Sequence, residues 1–406
     1  MSGLIHLNSS GHINKWITGK PDFSYYLSMF KRYTDFSFEL IERPFSGLKS
    51  FGSIITCDIP TDEGDLVTNI TLSVELTSDL SETELLNVYA FNAGARLIEY
   101  AELIIGGQII EKITGDYIQI HQILYNSPVS TINTDLSILT GHNNLPNFGL
   151  YNTNVKFLID LPFFFYRNSQ LSVPICALNK HNLQLRIKLA EKKDIYMSYT
   201  EELSDPKKIE NISLLVRYGF LSKPEIDFMR STQLNYIITQ LQYSNIIIKH
   251  NDENKTKRML LNFKHPIKEL YFFNKRRPEP GKVFNSKVLG DIPIKRATLK
   301  INGETLFEED GLYLEYLQPY FNHTGLARYR VFVPKLYMYS FALDPENPEP
   351  TGQLNMSRII HKELTIEFDI TNAELWTLED DSSLEIYGLN YNIVTFQNGL
   401  CGLKYS

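Results

Sequence analysis

Apolar and polar residues alternate along most of the chain with the two-residue period that is typical of β-strands. In the clearest runs every second side chain is apolar, which puts one face on a core and the other toward water or a neighbour. These runs are residues 70–76, 155–161, 183–189 and 364–370. Many such runs, separated by loops rich in Gly, Pro, Asn and Asp, indicate antiparallel sandwiches or barrels. The pattern therefore predicts an all-β fold.

Helical patterns are few and short. One begins with a capping box, Ser81 with Glu84, ahead of an apolar run that reaches Val88. A second helix is predicted over residues 115–124. We expect both helices to decorate loops of a β scaffold.

Two segments, one in each half of the chain, have the pattern of the same β-hairpin. Residues 102–108 turn at Gly106-Gly107, and residues 298–304 turn at Asn302-Gly303. Both dipeptides supply the positive φ angles that a tight hairpin turn needs. The second glycines of the two turns lie 196 residues apart in a chain of 406. We interpret this spacing as the duplication of a unit of about half the chain.

A looser similarity supports the duplication and a polar stretch predicts the boundary. Residues 182–189 resemble residues 363–370 in their alternation. Between the halves, the strand-like pattern of residues 212–218 gives way to a polar, proline-containing stretch that begins at Ser222. Such stretches often connect domains. We therefore expect the boundary near residues 219–233.

Composition and charge narrow the possible partners. Hydrophobic residues make up 43% of the chain and charged residues 21%, and Tyr and Phe number 24 each, which favours sheets over helical bundles. The formal charge of −7 is opposite in sign to that of proteins that neutralise nucleic-acid phosphates. We therefore expect no direct contact with nucleic acid. Two basic clusters, residues 255–258 and 275–277, are interpreted as solvated loop charges.

The cysteines and the N-terminus bear on the compartment. Three widely separated cysteines, Cys57, Cys176 and Cys401, argue against a disulfide framework and favour a reducing environment. The first residues lack the charged and apolar regions of a signal peptide. No apolar run approaches the roughly 20 residues of a membrane-spanning helix. We expect the protein to be made and kept on the cytosolic side.

The motifs that accompany common enzyme chemistry are absent from the sequence. It contains no phosphate-binding loop, dinucleotide-binding glycine motif, HExxH zinc motif or nucleophile elbow. The nine histidines are scattered singly. The acidic residues 308–310 before Gly311 lack the ligand spacing of a calcium loop, so we interpret them as an exposed turn. We predict no catalytic, cofactor-binding or metal-binding residues, and no enzyme.

Several motifs in a fixed order run nearly from one end of the chain to the other. They are Thr18-Gly19-Lys20-Pro21 with Phe30–Thr34, Gly94–Ile98 with Glu102–Lys112, Leu161–Phe165 with Arg167-Asn168, Asn262–Pro266, Tyr339–Leu343 with Pro350–Arg358, and Asn390–Leu403. Together these motifs resemble the major capsid proteins of nucleocytoplasmic large DNA viruses, which include chlorella viruses, iridoviruses and their algal and amoebal relatives. The departures are Lys20, where the family usually has Asn, residues 22–24, and inter-strand loops shorter than in larger members.

The resemblance implies a double jelly roll, with two tandem eight-stranded antiparallel units. On that basis the chain is expected to divide into an N-terminal arm, a first jelly roll, a linker and a second jelly roll. Their expected bounds are residues 1–24, 25–220, 221–233 and 234–406.

The resemblance also implies a function. The chain is expected to be a structural major capsid protein that forms pseudo-hexagonal homotrimeric capsomers of an icosahedral large double-stranded DNA virus. Its partners would be further copies of itself and, through the N-terminal arm, minor capsid proteins or an inner viral membrane. No cofactor is implied. The protein would reside in the virion shell after assembly in the host cytoplasm.

Two other functions stay open at the level of the sequence. One keeps the fold but makes the chain a scaffold or minor capsid paralogue that templates a viral membrane. The other is a carbohydrate-binding or carbohydrate-active β-sandwich, because aromatic residues stack on sugars. Two observations argue against that second alternative: the chain has only two tryptophans, Trp16 and Trp376, and it has no carboxylate pair at a recognisable spacing.

Overall fold

The computed structural model describes residues 2–77, 87–89, 92–125, 155–166, 168–198, 208–249, 256–277, 293–325, 335–369 and 381–405. It contains two compact units, Met1–Asp35 and Phe36–Ser406. In the first unit, helices α1 (Ser2–Asn8) and α2 (His12–Thr18) bury none of their side chains. The rest of the described fold belongs to the second unit.

Two antiparallel sheets are built from residues 36–221. In sheet one the strand order is β1 (Phe36–Pro44), β11 (Lys208–Leu221), β4 (Leu66–Thr77) and β8 (Val155–Asp160). In sheet two the order is β2 (Ser46–Gly47), β3 (Ile54–Ile59), β9 (Leu183–Leu189), β6 (Ile98–Ile105) and β7 (Gln108–Thr114). A separate short ladder joins β5 (Asn87–Tyr89) to β10 (Tyr196–Ser198).

Two further antiparallel sheets are built from residues 234–403. In sheet three the order is β12 (Leu234–Ile248), β20 (Asp381–Gln397), β14 (Pro266–Arg277) and β17 (Tyr337–Ser340), with β18 (Leu354–Asn355) beside β14 and β21 (Leu400–Leu403) beside β20. In sheet four the order is β13 (Thr256–Leu260), β19 (Lys362–Phe368), β15 (Ile294–Ile301) and β16 (Glu304–Asp310). The predicted all-β fold is confirmed.

The two halves repeat one topology. In both, the chain alternates between the paired sheets, and the strand order β1-β11-β4-β8 corresponds to β12-β20-β14-β17. The order β3-β9-β6-β7 likewise corresponds to β13-β19-β15-β16. Strands that alternate between two packed antiparallel sheets are the signature of a jelly roll. The duplication that the hairpins indicated is therefore present in the strand pairing.

The predicted strands and hairpins are confirmed in the described residues. Runs 70–76 and 183–189 lie in β4 and β9, run 155–161 ends one residue beyond β8, and run 364–370 overlaps β19. The hairpin turns have positive φ at both central residues: 58° and 81° at Gly106 and Gly107, and 50° and 90° at Asn302 and Gly303.

Helices are short and occupy the connections. Their bounds are α3 (Ala93–Arg96), α4 (Gly115–Tyr125), α5 (Lys192–Ile195), α6 (Lys223–Ser231) and α7 (Gln318–Asn322), with 3-10 turns at Ser169–Leu171, Ile175–Ala177 and Met356–Arg358 and a π turn at Tyr313–Leu317. The prediction over residues 115–124 is confirmed by α4. Ser81 and Glu84 lie outside the described residues, while Val88, expected in their helix, lies in β5 because it pairs with β10.

Buried side chains form two hydrophobic cores that share sheet three. One core lies between sheets three and four and includes Leu270 and Phe272 of β14. The other lies between sheets one and two and extends to Tyr271 and Phe273 of the same strand. Because successive side chains of a strand point to opposite faces, the two faces of sheet three belong to different cores. As a result, residues 267–274 are all buried.

Two interpretations of charged clusters were wrong. Lys257 lies buried in β13 and Lys275 lies in β14 within an ion pair, so neither is a solvated loop charge; Lys255 lies outside the described residues. The acidic residues 308–310 are the end of β16 and not a turn, and Glu308 pairs with Arg296 on β15. Glu308 is stabilised by a partner on the neighbouring strand, and Lys275 by Asp116 of helix α4, which is 159 residues away in the sequence.

Gly115 and Gly311 begin helical segments at a close backbone contact. A Cβ atom at Gly115 would lie 2.2 Å from the carbonyl oxygen of Ile98, and at Gly311 it would lie 1.8 Å from that of Ile294. We expect Gly115→Ala and Gly311→Ala each to lower the free energy of unfolding by about 3 kcal/mol, measured by thermal unfolding.

Gly402→Ala is the matched control, because its Cβ would meet only Gln108 Oε1 at 3.7 Å. It should change stability by less than about 0.5 kcal/mol. A Gly311→Ala chain as stable as the control would contradict the close approach.

Candidate assembly site

The two sheet pairs meet along a surface that we call the seam: helix α4 of the first half against Glu269, Lys275, Tyr387 and His323 of the second half. The Thr114 hydroxyl accepts a hydrogen bond from the backbone N–H of Tyr117 at 3.2 Å, which satisfies one free donor at the helix start. Most α4 side chains are buried, as expected of a helix enclosed on several sides.

The carboxylate of Glu269 is the centre of the seam. It is fully buried, and its Oε1 lies 2.8 Å from Nε2 of His323. Its Oε2 accepts hydrogen bonds from the hydroxyls of Tyr271 at 2.9 Å and of Tyr125 at 3.2 Å. The Tyr125 ring also contacts the His323 ring edge to face, with centroids 4.8 Å apart. Glu269 of β14 therefore connects Tyr125 of α4 to His323, which directly follows helix α7.

The ionisation of this cluster follows from its contacts. Burial opposes a charge on Glu269, but His323 and Lys268 outweigh it and hold the pKa of Glu269 below its ordinary value of 4.5. Burial likewise opposes a charge on His323, but Glu269 and Glu346 raise its pKa above 6.5. Nδ1 of His323 lies 3.4 Å from Glu346, an ion-pair distance without a well-formed hydrogen bond. Glu269 and His323 thus form a buried ion pair.

A second ion pair fixes the start of α4. Nζ of Lys275 lies 2.6 Å from Oδ2 of Asp116, and the Tyr387 hydroxyl lies 3.3 Å from the same oxygen. Burial opposes the charge of Asp116, but Lys275 outweighs it and keeps the pKa of the carboxyl below its ordinary value. A cleft of about 430 Å³ opens here. It is lined by acidic and basic side chains, and the basic ones include Arg96 and Lys112. Lys275 and Asp116 thus attach α4 to β14 at the end opposite Tyr125.

Another buried carboxyl, Glu111 on β7, holds a loop of the first half. Its Oε2 accepts a hydrogen bond from the backbone N–H of Phe164 at 2.8 Å. Burial raises the pKa of Glu111 to about 8, so the group is mostly protonated at neutral pH. A neutral carboxyl costs little to bury when it is hydrogen-bonded.

Within the described ranges, no three His, Cys, Asp or Glu side chains are grouped so that they could hold a metal ion. No described helix has both the length and the apolar character needed to cross a bilayer.

Sequence reasoning missed the residues of the seam. In the sequence, Asp116 falls only within the predicted helix over residues 115–124, and Lys275 only within a basic cluster. Glu269 and Lys268 interrupt the otherwise apolar run 267–273, and charges inside such a run were the available signal. Their partner His323 is 54 residues away from Glu269, so no local pattern joins them.

We expect Glu269→Gln to lower the free energy of unfolding by about 3 kcal/mol, because one partner of a buried pair is removed. The effect should depend on pH. The contribution of Glu269 is lost as pH falls below 4.5 through its folded pKa, and that of His323 is lost as pH rises above 6.5 through its folded pKa. Thermal unfolding at several pH values should give the largest difference from the unsubstituted chain between these limits.

Glu308→Gln is the matched control, because Glu308 and its partner Arg296 are about half exposed. It should cost less than about 1 kcal/mol. A pH-independent loss for Glu269→Gln would mean that the buried pair is not ionised.

Comparison with known proteins agrees with this architecture. A profile described as major capsid protein N-terminus matches residues 24–259, and one described as large eukaryotic DNA virus major capsid protein matches residues 225–402. The major capsid protein of Pyramimonas orientalis virus is 27% identical, with 100% of this chain and 99% of that protein covered. That of Paramecium bursaria Chlorella virus 1 is 26% identical with the same coverage.

Solved structures show the same fold. A quasi-atomic model of the PBCV-1 virus capsid superposes with a TM-score of 0.77 at 25% identity, covering 94% of this chain and 100% of that chain. The Faustovirus major capsid protein gives a TM-score of 0.67 at 10% identity, which is a likeness of fold alone. The expected double jelly roll is confirmed, and the role of the chain is structural and not enzymatic. The chain belongs to the family of large eukaryotic DNA virus major capsid proteins.

Proposed function

We propose that three copies of this chain form one capsomer with a pseudo-hexagonal outline, which tiles the icosahedral shell of a large double-stranded DNA virus. The observation that carries this proposal is the repeated strand order of the two halves. Three chains with two similar halves each provide six similar wedges around one axis. Such a ring closes through a heterologous contact between chains. One gene product can then cover a flat facet.

The proposed division of the chain is the N-terminal arm at 1–24, the first jelly roll at 25–220, the linker at 221–233 and the second jelly roll at 234–406. Two features support it: sheets one and two use strands from 36–221 only, and sheets three and four use strands from 234–403 only. Helix α6 lies within the proposed linker, and the proline at its first turn suits a helix start.

Assembly in the host cytoplasm is also part of the proposal. The three cysteines are free and buried, which suits a reducing compartment. Capsomer-to-capsomer contacts should be individually weak and numerous, so that misplaced capsomers can dissociate and rebind.

The N-terminal arm is proposed to contact minor capsid proteins on the inner side of the shell. Helices α1 and α2 have seven residues each, fewer than the roughly 12 that an isolated helix needs to be stable in water. Their apolar side chains, including Leu4, Ile13 and Trp16, are exposed in this structure. A partner surface would bury them and stabilise the helices.

The mass of the purified protein in solution tests the capsomer. Light scattering on a sizing column should give three times the 46.9 kDa of one chain. This mass is expected because each chain joins the next through a contact like that between its own halves, and the ring closes at three chains. A stable, folded monomer would contradict the proposal and favour the scaffold or minor capsid paralogue.

Cross-linking mass spectrometry of purified virions tests the arm. Lys15 and Lys20, the lysines of the proposed arm, should link to a virion protein other than this chain. A photoreactive lipid dissolved in the viral membrane provides the second readout. If it labels the arm and no such protein links form, the partner of the arm is the inner membrane and not a minor capsid protein. If the arm links only to further copies of this chain and is not labelled by the lipid, neither minor capsid proteins nor the inner membrane are its partner.

A further inference from the structure

We propose that the helical segment 311–322, which we call the distal helix, docks on the outer face of sheet one of a second copy of this chain. The contact repeats between chains the seam that exists within one chain. This inference rests on the three-copy capsomer proposed above and names the surfaces that join its subunits.

The distal helix is the structural equivalent of α4. Each follows the second strand of the repeated hairpin, β7 or β16. Gly115 and Gly311 are 196 residues apart, as are Ile98 and Ile294, and each glycine lies against the carbonyl oxygen of the corresponding isoleucine. The same backbone contact thus orients both helices on their own sheets.

The two helices differ in what covers them. In α4, Ile120 and Leu124 are 0% exposed. In the distal helix, Leu312, Tyr320 and Phe321 are 68%, 66% and 69% exposed. Large aromatic side chains of this kind are enriched at protein interfaces, where they bury much area at low entropic cost. The helix that the seam encloses in the first half is open in the second half.

The receiving surface follows from the same repetition. Strand β4 of sheet one corresponds to β14 of sheet three, because each meets a short extended segment near its start, at Val67 and at Ile267. These positions are 200 residues apart. With this spacing, Thr71 corresponds to Tyr271 and Glu75 to Lys275. In sheet three those positions contact or flank α4, and in sheet one they are partly exposed.

The outer face of sheet one is suited to a mixed apolar and polar helix. Its centre is polar, with hydrogen bonds from Thr71 to Asp160 at 2.6 Å and from Lys156 to Glu75 at 2.8 Å. Its edge strand β1 exposes Phe38 and neighbouring apolar side chains. These four polar side chains already pair with one another, so a docking helix need not supply partners for them.

A second copy is the occupant that the geometry requires. Within one chain, the first half supplies the helix and the second half supplies the sheet. The second half then offers an exposed helix of its own, and the described residues of the first half leave Thr71 and Glu75 on the outer face of sheet one partly exposed. Joining these two surfaces between chains repeats the contact that joins the two halves within one chain. The ring closes when three chains, with six halves in all, have been joined.

Paired cysteines test the contact. Glu75→Cys and Leu312→Cys occupy the positions that correspond to Lys275 and Asp116, whose charged atoms are 2.6 Å apart. A short bismaleimide should link neighbouring chains into covalent dimers and trimers on a denaturing gel. The native cysteines should stay silent: all three are buried, and burial raises the pKa of the Cys57 thiol to about 11. Glu75→Cys with Ile360→Cys, an exposed position outside the distal helix, is the control and should not link.

A second variant measures the energy of the contact. Tyr320→Ser with Phe321→Ser should weaken subunit association by roughly 30-fold or more, as the loss of interface anchors does. Circular dichroism should show an unchanged fold, because both side chains are exposed. Ile360→Ser is the control and should leave association unchanged.

The outcomes separate this inference from the capsomer itself. If the unsubstituted protein has the mass of three chains but the cysteine pair does not link and the double variant stays associated, the surfaces named here are wrong and the capsomer stands. If the unsubstituted protein is a folded monomer, the capsomer is wrong and this inference fails with it.

Discussion

The constraint on which the rest of the fold depends is that sheet three has a hydrophobic core on each face. Leu270 and Phe272 of β14 face one core, and Tyr271 and Phe273 face the other. Burying large aromatic side chains stabilises a fold by about 2 kcal/mol each, so neither face can be left in water cheaply. Sheet three can therefore bury both faces only when the first half covers it. This makes the contact between halves part of the folding of the chain.

Polar groups add direction to this apolar contact. Glu269 accepts hydrogen bonds from two tyrosines and pairs with His323, and Asp116 pairs with Lys275 at the other end of α4. Buried ion pairs contribute little net stability, because desolvation offsets most of their attraction. Their effect is to permit one position of α4, since a shifted helix would leave buried charges without partners. The distal helix has Leu312 in place of Asp116, so its docking would rely more on apolar area.

Much of the fold could be predicted from the sequence, and the exceptions have a physical cause. Sheets with one open face keep the alternation that predicted β4 and β9, and the paired glycines of the two hairpins identified the duplication. Strand β14 has a polar pair followed by an apolar run, because both of its faces are buried and the two-residue period is lost. The partners in the seam are brought together by long-range pairing alone. For that reason Lys275 was interpreted as a loop charge and His323 was not singled out.

A repeated half-chain unit explains how one polypeptide can make a six-sided block. The chain contains one seam between its halves. It also carries the two surfaces, the distal helix and the outer face of sheet one, that would form a second seam with neighbouring chains. An electron cryo-microscopy map of the purified assembly tests this claim most directly. The account predicts three-fold symmetry with six similar wedges, and each distal helix lying on sheet one of the next chain. A map without three-fold symmetry, or one in which the distal helix faces solvent, would contradict it.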